Sequence, residues 1–389
     1  MQFKQVLVYR YSFPFWLVLL LFFNGACDGQ NQVQNKVDKK SSVAGKTPSN
    51  TYQKTPGAPL KFTSGIRAIL EDSRGNIWFG SHSEGLAMLK PRHHNMQVFG
   101  VPNQTAFTYY NEKDELSHPQ IRAIYEDENG HIWIETAAGI SRYDGTKIKS
   151  YHLRNYKPPN TWQSYPNDLW FKGDQLRGYN TAEQVPGVYR YNGQRFTYHA
   201  FPIQYQAGEQ NYYSVTTPFI KGKNNRLWFG TYGAVIGYQG TGTDFTIIDN
   251  TYLGLTKTSG FLHIRSLLED SKGNLWIGNN GIGVLKYDGQ NVIDFTAQHQ
   301  LKKGDTQGNT LHRVFSIGED PQGNIWFGTY QSGVWRYDGR SLKNFTAQDG
   351  LLSEHIWVIY CSKQGKMWFG GANPSGVYQF NGTSFTRKF

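Results

Sequence analysis

One pattern recurs through most of this chain and limits what it can fold into. At Ile264–Gly289 it reads IRSLLEDSKGNLWIGNNGIGVLKYDG, three short apolar runs separated by an Asp-x-x-Gly turn and a Gly-rich connection. Each run is too short, and too rich in β-branched and aromatic residues, to be a helix, so each predicts an antiparallel strand. The pattern stands again at Ile66–Lys90, Ile121–Gly145, Val314–Gly339 and Ile356–Gly382, and two decayed copies surround Trp170 and Trp228. A unit this small cannot bury its apolar faces alone, and seven of them predict a closed ring of small sheets. The expected fold is therefore all-β, a seven-bladed β-propeller of four-stranded antiparallel blades over residues 61–389.

The fourth strands are less regular. MQVFG (96–100) suits blade 1, IKSYH (148–152) blade 2, RFTYH (195–199) blade 3 and DFTIID (244–249) blade 4. VIDFT (292–296), LKNFT (342–346) and SFTRKF (384–389) follow in blades 5 to 7. Blade 3 is degenerate, with a short first strand expected near Trp162, and the first strand of blade 4 is expected within 214–222. Leu60–Thr63 resembles the close of a fourth strand and is expected to meet the last blade, where the ring closes.

One tryptophan recurs per blade, at 78, 133, 170, 228, 276, 326 and 368. Burying such a ring removes about 150–250 Å² from water, an upper estimate of roughly 4–6 kcal/mol, which suits a core position between blades. The Asp-x-x-Gly turns offer one carboxylate each, too few oxygens for calcium. Asp as a cap and Gly75, Gly130, Gly273, Gly323 and Gly365 in the left-handed position explain them, with Asn225 as the tolerated substitute in blade 4.

The formal charge of +11 is spread unevenly. Lys4 and Arg10 begin the chain, and residues 28–60 carry a net +3, which leaves +6 for the repeats. No Lys/Arg-rich run appears, so nucleic acid is not an expected partner. Residues 1–26 have a charged start and an apolar centre from Phe13 to Phe23, then end in Asn24-Gly25-Ala26 before Cys27. That is a signal peptide too short to span a bilayer. Small residues before a cysteine resemble the processing site of bacterial lipoproteins, which implies lipid on Cys27; an ordinary secretory peptide is the alternative. Residues 27–60 are Gln, Asn, Lys, Ser, Thr and Pro with little to bury, and predict a disordered tether. With only Cys27 and Cys361, no disulfide framework is implied.

The unit I-x-x-I-x-E-D-x-x-G-N-I-W-F-G-T-x-x-x-G-V-x-R-Y-D-G resembles the two-component regulator propeller repeat, and Val314–Gly339 matches it almost throughout. The resemblance implies the extracytoplasmic sensing part of a receptor, with ligands that are often glycan-derived. No kinase segment or DNA-binding helix pair follows the last blade, so a stand-alone, lipid-anchored protein on the periplasmic or cell-surface side of a bacterial membrane is expected, signalling through a partner if at all. The Gly-x-Ile-Trp-Phe core also resembles virginiamycin B lyase, which implies the alternative of a lyase but carries over no catalytic residue.

The Asp-x-x-Gly turns fall on one face of such a ring and are short and alike. The opposite face receives connections that vary, at 101–120, 153–165, 200–213, 250–263 and 297–312, with 173–186 added in blade 3. Binding is expected there. Tyr109, Tyr110, Trp162, Tyr179, Tyr232, Tyr330 and Trp357 lie in or beside these segments. Flat aromatic faces suit sugar rings and equally suit protein surfaces or plain loop packing. His118, His263, His312 and His355 stand where connections enter the innermost strand, followed by Arg67, Arg122 and Arg265 at the equivalent entries. Together they could ring a channel mouth and hold an anionic group or a metal, or be solvated rim residues with no shared ligand. No nucleophile motif, paired-carboxylate spacing or zinc signature emerges. The expectation is a monomeric binding or sensory module for a glycan or protein, with no cofactor and no resident metal, rather than an enzyme.

Overall fold

The computed structural model describes residues 60–91, 107–151, 153, 162–172, 186–201, 210–242, 244–301 and 310–389, all within one compact unit, Lys54–Phe389. The expected signal peptide, Cys27 and nearly all of the expected tether lie outside the described residues, as does Tyr179.

Every blade is an antiparallel meander in chain order. First strands at Ile66–Glu71, Ile121–Glu126, Ile264–Glu269, Val314–Glu319 and His355–Cys361 pack against one another around the axis. The second strands carry the tryptophans, and the third and fourth follow outward. The result is the seven-bladed propeller, six blades showing four strands and blade 3 showing three among the described residues, Leu169–Phe171, Gly187–Tyr191 and Phe196–Ala200.

All seven tryptophans are buried, none more than 7% exposed. In blades 1, 2, 5 and 6 the indole Nε1 donates to the turn Asp six residues earlier at 2.8 Å: Trp78 to Asp72, Trp133 to Asp127, Trp276 to Asp270 and Trp326 to Asp320. The other carboxylate oxygen accepts the turn's own amides, as in Asp270, which takes N–H groups from Lys272 and Asn274. One side chain thus closes the turn and satisfies a buried donor. Blade 4 lacks this Asp, and Trp228 donates instead to Glu269 of the next blade at 2.7 Å. The turn glycines take positive φ, from 73° at Gly130 to 88° at Gly273, and Asn225 takes 57°.

Blades join through two devices. The glycine after the Trp-x pair receives an apolar residue of the next first strand: a Cβ on Gly80 would stand 2.5 Å from Ile121 Cγ2, and one on Gly328 2.8 Å from Ile356 Cγ2. The glutamate at the end of a first strand accepts an amide of the preceding blade's turn, Glu126 from Ser73 at 2.8 Å and Glu319 from Ser271 at 2.8 Å. The closing seam uses the same two devices. Ile66 fits against Gly370, and Glu71 accepts the Lys363 amide at 2.9 Å.

Several expected strands are displaced. Leu60–Thr63 forms no strand; Phe62 is buried beside Trp368 and Val377, in the cluster that Phe389 covers, so both ends of the ring meet by packing. The fourth strand of blade 1 is Phe107–Tyr110, not 96–100, which lies outside the described residues. Tyr109 and Tyr110 are therefore strand residues, Tyr109 against Phe62 at 5.7 Å and Tyr110 stacked on Trp78 at 6.0 Å. Trp162–Gln163 does not start blade 3: it pairs with Thr241–Gly242 of blade 4. In blade 4 pairing begins with a bridge at Val215, breaks around Pro218 and resumes at Ile220–Lys221, because proline has no N–H for the ladder. Blade 5 ends its fourth strand at Asp294, whose carboxylate caps a one-turn helix, Phe295–Gln298.

Candidate functional site

Five first strands share one irregularity. In each, the residue after the leading Ile or Val is an extra residue that the second strand does not match: Arg67, Arg122, Arg265, Phe315 and Trp357. Such a bulge turns a side chain out of the strand's alternation. Here all five line a cavity on the axis of about 200 Å³, joined by Thr216 from blade 4 and Lys172 from blade 3. The lining holds four cationic side chains and no carboxylate.

Aromatic faces hold the guanidinium groups. Arg67 lies 4.7 Å from the Trp357 ring centre, and Arg265 sits between Phe315 at 5.4 Å and Tyr232 at 5.7 Å. Cation–π contact fixes the plane of a guanidinium against the ring.

Above the bulges, backbone hydrogen bonds tie the residue entering each first strand to the residue leaving the second. The His82 amide bonds to Gly65, Tyr232 to Ser214, Asn280 to His263 and Tyr330 to Arg313. This builds the mouth. His355 stacks on Tyr330 at 3.9 Å, which also carries Arg313 at 4.2 Å. His263 packs on Tyr232 at 4.8 Å, and Arg313 Nε donates to Asn280 Oδ1 at 2.7 Å.

The four histidines singled out in the sequence do not form one cluster. His263 and His355 occupy the mouth. His118 and His312 lie one or two residues further out: the His118 ring accepts the Gln120 amide at 3.0 Å, and the His312 carbonyl accepts the Gly281 and Gly283 amides. No group of three or more His, Cys, Asp or Glu side chains capable of holding a metal is present among the described residues. Trp162 is buried against Trp170, the rings 5.6 Å apart and 12° from parallel, and its Nε1 donates to the Ala200 carbonyl. It fills the wall between blades 3 and 4 and offers no free face.

His82 belongs to the mouth and escaped sequence reasoning. Its ring lies 5.4 Å from Trp357 and within 3.2 Å of the Gln120 amide. Burial, then Arg67 and Arg122, hold its pKa down to about 4. Burial, then Arg265 and Arg313, do the same for His263, also to about 4. His355 is lowered by burial as well, with Glu354 opposing. At neutral pH the positive charge at the mouth therefore belongs to arginine and lysine. The signal for His82 was its repeat position, equivalent to Tyr232, Asn280 and Tyr330.

Outboard of Tyr232, the next residue, Gly233, opens on a second depression of about 320 Å³ with Tyr212, Phe261, Asp249 and Asn250. Tyr212 and Phe261 are about half exposed, and the Asn250 oxygen accepts the Leu262 amide.

The fold and this cavity define a seven-bladed propeller with a cationic axial pocket. Five segments, residues 61–83, 115–134, 260–281, 310–331 and 350–373, match the family model described as two component regulator propeller. The matched segments fall in blades 1, 2, 5, 6 and 7. No curated protein matches the sequence. Among solved structures, a streptogramin B lyase is 14% identical over 85% of this chain and 96% of its own, with a TM-score of 0.57. The virginiamycin B lyase of Staphylococcus aureus is 15% identical over 82% and 95%, at 0.57. The extracellular domain of a two component system protein from B. thetaiotaomicron is 19% identical over 84% of this chain, at 0.52, and this chain spans 38% of it. At these identities the likeness is one of fold.

Proposed function

We propose that this chain is an extracytoplasmic ligand-binding or sensory propeller, anchored to a membrane by lipid on Cys27, that seats an anionic group of a glycan or protein ligand in its axial pocket. The observation that carries this reading is the convergence of Arg67, Arg122, Arg265 and Lys172 on a cavity without a carboxylate. Like charges gathered on one cavity repel one another, and an anionic occupant would relieve that repulsion. At about 200 Å³ the pocket is smaller than the roughly 300–1,000 Å³ typical of whole small-molecule sites. It suits one end of a longer ligand, whose remainder would lie across Tyr232 toward the outer depression. The repeat type supports a sensory role outside the cytoplasm.

Titration calorimetry tests the binding claim with trigalacturonate as the acidic probe and maltotriose as the neutral one. Saturable heat with the first alone is expected, weakened about tenfold in Arg265→Gln by loss of a charge-assisted contact. No heat with an intact fold sinks it. Cys27→Ala should release the protein from membranes; retention there would rule out the lipid anchor. Turnover of the acidic probe to an unsaturated product would instead make the chain a lyase with His263 or His355 as base. Against that stands the His263 pKa near 4, since a general base works best with a pKa close to the operating pH.

A further inference from the structure

The position after each Trp-x pair is Gly80, Glu135, Lys172, Gly230, Gly278, Gly328 and Gly370 in blades 1 to 7. Glycine is required where the next first strand presses in, as Ile264 does on Gly230 at 2.6 Å and Val314 on Gly278 at 2.9 Å from a built Cβ. The two exceptions are adjacent blades, and they carry opposite charges. Among the described residues, blade 3 has no strand inside Leu169–Phe171, and the seam after blade 2 holds Glu135 where five other blades hold glycine.

Glu135 fills that seam. It is fully buried, its Oε1 accepts the Lys172 backbone amide, and its Oε2 lies 3.9 Å from Lys172 Nζ with no hydrogen bond among the described residues. Lys172 lines the axial pocket. Glu135 is not part of that lining, so the acid stands behind a lysine that is. The charged and titratable groups facing Glu135 are Lys172, Arg122 and Tyr125. Burial raises its pKa, while Lys172 and Arg122 pull it down. A lone buried carboxylate would take up a proton; a pair that keeps one member on a cationic cavity is retained at a cost unless it positions something.

We infer that Glu135 positions Lys172 as blade 3's contact for the anionic end of the ligand, and that the pair, standing at two consecutive glycine positions, sets the charge specificity of the pocket. This rests on the anion-binding reading above. The two fail separately in one experiment. With trigalacturonate as probe, Lys172→Met should bind about tenfold more weakly and Lys172→Arg within about threefold of the wild type, if the charge rather than the seam is what matters. Glu135→Gln keeps the shape but removes the charge that holds a buried ammonium protonated. Its affinity should therefore fall at lower pH than the wild type's as pH is raised above neutral. NMR of reductively methylated protein should show Lys172 titrating at lower pH in Glu135→Gln, a readout that needs no ligand. Wild-type binding in Lys172→Met alongside weakened binding in Arg265→Gln overturns this inference alone. Wild-type binding in Arg265→Gln as well overturns the anion reading, and an unchanged Lys172 titration overturns the positioning role. Urea unfolding of each variant separates loss of the seam from loss of the contact.

Discussion

The two ends of the propeller spend their polar groups differently. At the turn end, each carboxylate is consumed by the fold. Asp270 serves its own turn and the Trp276 indole, and Glu319 serves the turn of the blade before it. At the mouth end, arginines lie on aromatic rings around a cavity, and the nearest histidines are held neutral. The first arrangement satisfies itself. The second gathers its charge on a cavity, and under the proposed function that is the charge a ligand would meet.

Substitutions at the turn end should be costly in proportion to what they unpack. Trp326→Ala removes a ring that packs on Phe345, Phe369 and Phe380 and is expected to cost about 3–5 kcal/mol in urea unfolding. A loss under 1 kcal/mol would break the distinction. Asp270→Ala strands the buried Trp276 donor and opens the turn, an expected loss of about 2–4 kcal/mol, with the Trp276 indole proton exchanging faster by NMR. Gly328→Ala, which drives a Cβ into Ile356, should cost about 1–3 kcal/mol.

At the mouth the expected effects are smaller and concern binding. His82 and His263 titrate near 4 in the folded chain, against about 6.5 when unfolded. The stability this contributes is complete above about pH 6.5 and is lost as pH falls through that window to about 4. A bound anion favours the charged imidazole, so binding should draw protons in, and affinity for trigalacturonate should rise from pH 7 to pH 5. Calorimetry in buffers of different ionisation enthalpy measures this directly, and zero uptake would place the histidines away from the ligand. Smallest of all, Phe315→Leu should change unfolding stability by no more than about 1 kcal/mol, the loss of one cation–π face, since its side chain faces the cavity and not the blade core. A large loss would show that the lining is part of the core after all.

What was legible in the sequence followed the repeat. Trp, turn Asp and turn Gly recur at fixed spacing because every blade meets the same packing problem, and their roles could be read one by one. The bulge was not legible, since Ile66-Arg67-Ala68 looks the same in sequence whether or not the partner strand skips a residue. Arg67, Arg122 and Arg265 were singled out for their position, but their lining of the axial cavity appears only in three dimensions. Trp162 misled because an aromatic near a degenerate blade reads as a first strand, whereas it packs between Trp170 of blade 3 and Tyr238 and Phe245 of blade 4 and pairs with the latter blade. Glu135 and Lys172 carried a usable signal, being the two departures from glycine at one repeat position. The fourth strand of blade 1 was missed because the sequence offers an earlier apolar run at 96–100, whereas the strand that pairs with Leu86–Leu89 is Phe107–Tyr110.

The shared bulge has an evolutionary consequence. Because the surplus residue of each of these five first strands lines the cavity, the letters Arg, Arg, Arg, Phe and Trp at those sites can be redrawn with little disturbance to the scaffold that carries them. Drift or selection can thus rewrite what the wheel recognises one sector at a time, and relatives with the same frame need not share a ligand.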